Sequence, residues 1–161
     1  NWFNSYVEGS PVICEAYGDS YSDNCIVSAY TGLPTVFGWQ THEMLWRFHG
    51  IVDKNTDTLI SDPDNDVSRK FISPRHRDID TVYLSEDANE VQNIINKYQI
   101  EYIIMGNMER YKYGYDNSVI FYEIGTVAFR YDNITVFKVE PQPLTTSTQV
   151  QAPAESGNSF G

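Results

Sequence analysis

The chain has 161 residues, with 22 Asp and Glu against 11 Lys and Arg, a formal net charge of −11 and an isoelectric point near 4.5. A surface of that sign repels phosphate backbones and anionic lipid headgroups, which argues against a nucleic-acid partner and against direct seating on an acidic bilayer. Hydrophobic residues at 41% and aromatics at 14% exclude a disordered chain and suit one domain with a core of its own.

In chain order, residues 1–8 read as the last turns of a helix whose start lies upstream, closed by Gly9 before Pro11. Val12 to Ala16 reads as a buried strand. Ser20, Ser22 or Asp23 is placed to cap a short helix through Tyr30 that stops at Thr31-Gly32. Leu33 to Phe37 reads as a second strand, and Thr41 to Phe48 as a helix with Met44, Leu45 and Phe48 on one side. Residues 50–72 are polar and rich in aspartate without a period, and read as a long loop or insertion. Ser73-Pro74 opens a helix with a capping serine and a first-turn proline, and Ile79, Val82 and Tyr83 supply its apolar face. Asp87 with Glu90 resembles a capping box, followed by the clearest helical stripe, Val91, Ile94, Ile95 and Tyr98. Ile100 to Met105 is a buried strand ending at Gly106, and the order helix, tight turn, strand predicts a parallel pair. Asn107 to Tyr113 is a short helix. Val127–Tyr131 and Ile134–Val139 flank Asp132-Asn133 as a β-hairpin. The expected architecture is a single compact α/β domain over 1–140, with a small mixed sheet flanked by helices and a C-terminal hairpin. Residues 141–161, rich in Pro, Ser, Thr and Gln, read as a flexible tail.

The block from Pro11 to Arg47 interrupts itself with glycines and places polar groups at the interruptions, a texture of loops that present side chains from a scaffold. It holds Pro11-Val12-Ile13-Cys14-Glu15-Ala16, Gly18-Asp19-Ser20-Tyr21-Ser22, Thr31-Gly32-Leu33-Pro34-Thr35-Val36-Phe37-Gly38-Trp39, His42-Glu43 and Trp46-Arg47. Arg77-Asp78-Ile79, Tyr98 to Ile103 and Glu109-Arg110-Tyr111 follow. Together these stretches, spanning roughly 11–139, resemble the soluble extracytoplasmic C-terminal domain of the YYY-type multi-spanning membrane proteins, which are similar to GT-C glycosyltransferases. The chain departs from the family pattern in three places, one of them the acidic stretch 51–68, which is longer than usual. Cys25-Ile26 stand before Val27-Ser28 where the family has an arginine, and Phe48-His49 separate Trp46-Arg47 from Gly50.

The resemblance implies a cell-membrane parent, this domain on its extracytoplasmic side, and the transmembrane part of the same polypeptide as partner. It also implies that catalytic carboxylates lie in that membrane part. The expected role is then to shape an acceptor or lipid-linked sugar site without turning anything over, with Glu15, Asp19, His42, Glu43, Trp46, Arg47, Arg75 and Arg77 as substrate-binding candidates. The alternative is a non-catalytic carbohydrate- or protein-binding module, marked by an exposed aromatic platform. A third reading, a hydrolase using Glu15 or Asp19 with Glu43, needs both carboxylates in one cleft.

Other signals are weaker. His42-Glu43 lacks the second histidine of H-E-x-x-H, because Trp46 stands there, and Glu43 at four residues from Arg47 reads better as an ion pair. Asp62–Asp66 alternates carboxylates like a calcium loop but has Val67 and Ser73 where glycine and glutamate belong. No metal site, cofactor or catalytic residue is called for. Arg75 and Arg77 at a helix start oppose the macrodipole, which points to the preceding acidic loop or to an anionic ligand as partner. Cys14 reads as a buried thiol, with a bridge to Cys25 open if the chain folds back. Asn133-Ile134-Thr135 is a glycosylation sequon on the hairpin turn.

Overall fold

The computed structural model describes residues 2–19, 22–40, 42–43, 51–52, 59–61, 68–114 and 118–143. Its centre is a four-stranded mixed sheet in the order β1-β4-β6-β5, built from β1 (Val12–Cys14), β4 (Ile100–Met105), β5 (Gly125–Tyr131) and β6 (Ile134–Val139). A separate antiparallel pair joins β2 (Ile51–Val52) to β3 (Leu59–Ser61). β1 and β4 run parallel, with Ile13 opposite Tyr102 and Cys14 opposite Ile103, as the helix-to-strand order predicts. β6 pairs antiparallel with both β4 and β5, and Asp132 takes a positive φ of 50° in the tight turn between the last two strands.

β4 is apolar along nearly its whole length because both of its faces are covered. Ile103 and Met105 face a core shared with α3 (Ser73–Leu84), α4 (Ala88–Tyr98) and α6 (Ser118–Ile124). Tyr102 and Ile104 face a smaller cluster with Phe3, Ile13 and Val136. That second face is covered thinly, by α1 (Trp2–Tyr6) and α2 (Ile26–Thr31). Between them and β5 and β6 lies an apolar groove of about 220 Å³, where Trp2 stacks on Phe129 at 5.4 Å.

α4 forms where its stripe requires it. Asp87 accepts the Asn89 N–H at 2.8 Å, Val91 and Ile95 are buried, and Ile94 and Tyr98 pack at the edge. Glu90 turns instead to the Ser85 hydroxyl at 2.6 Å, so the cap is one-sided rather than a reciprocal box. α5 (Asn107–Tyr113) closes at Gly114, and Tyr83 reaches from α3 to the strand ends, its hydroxyl 2.8 Å from the Ile104 carbonyl and 3.1 Å from that of Cys14.

Several expectations change. Leu33–Phe37 is not a sheet strand: Pro34 has no N–H to give a ladder, and the segment makes one parallel bridge, Ile13 with Thr35. Residues 50–72 are more than a loop, since they hold the β2–β3 pair and a π-helical turn, Ser68–Ile72. That turn runs directly into α3, so Ser73 lies inside continuous helical backbone and makes no cap. Arg75 and Arg77 consequently sit beyond the first turn of a helical run, and the macrodipole argument for an anion there falls away. Ser22 and Asp23 do not cap α2, which begins at Ile26, and Ser20 lies outside the described residues. Of the predicted helix 41–48, residues 42 and 43 are helical and 44–48 lie outside the described residues, as do the Asp62–Asp66 motif and residues 144–161. The start of the expected tail, by contrast, is pinned: the Gln142 N–H donates to Asn96 Oδ1 at 2.8 Å.

Candidate functional site

The loops after β1 and β4 leave the same end of the parallel pair, where open α/β sheets commonly hold ligands. Two buried glutamates organise that end. Glu15 is 2% exposed, and its carboxylate accepts the Val27 and Ser28 N–H groups, each at 3.0 Å. These are free donors of the first turn of α2, whose own N-cap, Cys25, has a left-handed φ of 58° and no side-chain bond to offer. Glu15 therefore caps a helix from a strand end. Glu109, 5% exposed, accepts the Ala16 N–H at 2.9 Å through Oε1 and the Gly106 N–H at 2.8 Å through Oε2.

Burial pushes the Glu15 carboxyl above its ordinary value against the pull of the bonds from Ser28 and Val27. It also pushes the Cys14 thiol far up, with Glu109 and Glu15 adding to the shift. Cys14 and Cys25 are free thiols, so the open question of a bridge resolves to none. Both oxygens of Glu15 serve backbone amides. Its expected place among ligand-contacting residues, or in a hydrolytic pair with Glu43, gives way to a structural one.

The loop held by Glu15 forms one wall of a hollow of about 590 Å³, with Ser28, Thr35, Gly38, Trp39, His42 and Glu43 among its lining residues. Trp39 is fixed by its indole N–H, which donates to the Asn24 carbonyl at 2.8 Å, and His42 meets it edge-on at 5.2 Å. The Glu43 N–H bonds the Trp39 carbonyl at 2.9 Å, so one turn of backbone sets the aromatic, the imidazole and the carboxylate beside one another. Gly38 permits this, because a Cβ there would stand only 3.2 Å from Glu43 Oε1. Thr35 Oγ1 is buried without a hydrogen-bond partner among the described residues.

Asp19 lines a different hollow, of about 310 Å³, together with Asn24, Gln40, Tyr111 and Lys112. Gly18 is required at its rim, since any side chain would overlap Asn24. The Lys112 ammonium donates to the Tyr17 carbonyl at 2.8 Å and caps the Tyr17 ring, whose other face stacks on His76 at 3.8 Å. Burial, then the nearby Lys112 charge, lowers the His76 pKa, and burial also lowers that of Lys112. The Tyr17 and Tyr113 hydroxyls both donate to Asp80, each at 3.1 Å. A third hollow, also about 310 Å³, is lined by Ser22, Asp23, Ala29, Tyr30 and Trp39.

Of the candidates read from the sequence, His42 and Glu43 are brought together, Asp19 lies apart from them, and Glu15 is consumed by the scaffold. Trp46 and Arg47, and with them the Glu43–Arg47 pair, lie outside the described residues. Arg75 folds back so that its guanidinium donates to the Phe71 carbonyl at 3.1 Å, and Arg77 is exposed on α3; neither lines these hollows. The sequence reading missed Asn24, Tyr30, Tyr111 and Lys112. Helical period alone marks Tyr111, because Glu109 and Tyr113 turn toward the core and leave the residue between them outward. Among the described residues, no three of His, Cys, Asp and Glu converge as metal ligands, and no helix is long and apolar enough to cross a membrane. No protein-family model, curated protein or solved structure matches the chain.

Proposed function

We propose that the chain is a non-catalytic carbohydrate-binding domain, the extracytoplasmic part of a multi-spanning membrane protein of GT-C glycosyltransferase type, and that it shapes the acceptor or lipid-linked sugar side of the parent's site. The observation that carries the sugar reading is the Trp39 hollow. A ring held rigid by its own N–H, flanked by an imidazole and a carboxylate with a buried hydroxyl close by, offers an apolar face for a pyranose and hydrogen-bonding groups for its hydroxyls. The non-catalytic reading rests on the carboxylates. Glu15 and Glu109 spend their oxygens on backbone amides, and Asp19 and Glu43 line hollows with no lining residue in common, so no two of these carboxylates line the same hollow. The membrane parent rests on the family resemblance.

The exposed Tyr30 and Tyr111 favour a second reading, a carbohydrate-binding module that works without the membrane part. The two differ in whether affinity depends on that part. Protein-observed NMR on the isotope-labelled chain, titrated with neutral mono- and oligosaccharides, tests the common core of both. Shifts centred on Trp39, His42 and Glu43 that vanish in Trp39→Ala support it. A blank across the sugars overturns it, and turnover of any glycan by the purified chain overturns the non-catalytic assignment.

A further inference from the structure

The three hollows share walls in sequence. Ser22 borders both the Lys112 hollow and the Tyr30 hollow, and Ala29 and Trp39 border both the Tyr30 hollow and the Trp39 hollow. They therefore adjoin one another in series. Each hollow has an aromatic ring: Tyr111, 87% exposed, at one end; Tyr30, 77% exposed, in the middle; and Trp39 between the middle and the far end. Rings that border adjoining hollows offer successive stacking faces to a chain of pyranoses.

Between the rings stand short neutral donors and acceptors, Ser22, Asn24 and Gln40, suited to hydroxyl groups. The charged lining groups lean negative, with Asp19, Asp23 and Glu43 against Lys112, whose ammonium already serves the Tyr17 carbonyl. Resting on the sugar reading above, we infer that the three adjoining hollows act as one trough and bind one linear, uncharged oligosaccharide of at least three units, laid from Tyr111 past Tyr30 to Trp39, rather than a single sugar or an acidic glycan.

Calorimetry with the whole chain and ladders of gluco- and N-acetylglucosamine oligosaccharides, from one to six units, tests this. Affinity for at least one ladder rises about tenfold or more between the monosaccharide and the trisaccharide or tetrasaccharide and then levels off. Tyr111→Ala weakens the long members several-fold and the monosaccharide by less; its exposure makes it safe for folding. An oligogalacturonate of the same length binds more weakly, and the gap narrows as salt rises from 20 to 200 mM, as screening of like charges requires. A length-independent affinity, or full hexasaccharide affinity in Tyr111→Ala, overturns the trough while leaving sugar binding at Trp39 intact. Acidic glycan binding as tight as the neutral ladder overturns the uncharged ligand. No binding by any member overturns the trough and the sugar reading together.

Discussion

Glu15, just past the end of β1, and Glu43, in a helical turn after Trp39, are both carboxylates of the glycine-rich block, and they meet opposite fates. Glu15 is enclosed and bound by two backbone amides, whereas Glu43 lines an open hollow beside an aromatic ring. The first holds α2 in place, and α2 contributes Ser28 and Ala29 to the wall that the second shares. A buried carboxylate thus supports an open one. A polar residue in a glycine-rich block belongs to the scaffold or to the surface according to whether the backbone around it still needs an acceptor.

The largest break in this comparison is Glu15→Ala. It orphans two part-buried N–H groups, and the chain is expected to lose about 1–3 kcal/mol in urea denaturation; a loss below about 0.5 kcal/mol would return Glu15 to the candidate ligand contacts. Tyr83→Phe removes the hydroxyl that ties α3 to the ends of β1 and β4, at about 1–2 kcal/mol in the same assay. A finer effect follows from pH. Burial raises the Glu15 carboxyl above its ordinary 4.5, so the folded state holds that proton more tightly than the unfolded one. The contribution is full below pH 4.5 and is lost as pH rises through the raised value. The stability of the wild type relative to Glu15→Gln therefore falls as pH rises above about 4.5; a rise would mean that the amide bonds outweigh desolvation. The smallest effect belongs to Arg75→Gln with Arg77→Gln, expected within about 0.5 kcal/mol of wild type and without change in sugar affinity. A loss of sugar affinity there would move the site to α3.

Elements fixed by strong local pattern were legible in the sequence: the Val91–Tyr98 stripe, the buried run Ile100–Met105 and the Asp132-Asn133 hairpin all fold as read. Two failures share a cause, since each turned on a partner distant in sequence. The α2 cap comes from Glu15, twelve residues before Val27, and no local search for Ser or Asp finds it. Leu33–Phe37 has the look of a strand, but Pro34 denies it the ladder, and only the position of Ile13 settles the matter. At the site, the His42-Glu43 pair was visible as a dipeptide. The adjoining hollows were not, because their rings, Tyr30, Trp39 and Tyr111, come from segments that only the tertiary fold brings together.

Cys14 and Cys25 are buried free thiols, and burial raises the pKa of Cys25 to about 12 and that of Cys14 further still. In the closed fold at neutral pH both are protonated and inert toward alkylation. They sit at different depths of the architecture, Cys14 inside β1 and Cys25 at the head of α2. The molecule thereby carries two internal clocks. Alkylation of Cys25 times the lifting of the α2 segment, alkylation of Cys14 times the parting of the sheet, and the ratio of the two rates ranks local against global opening without any added label.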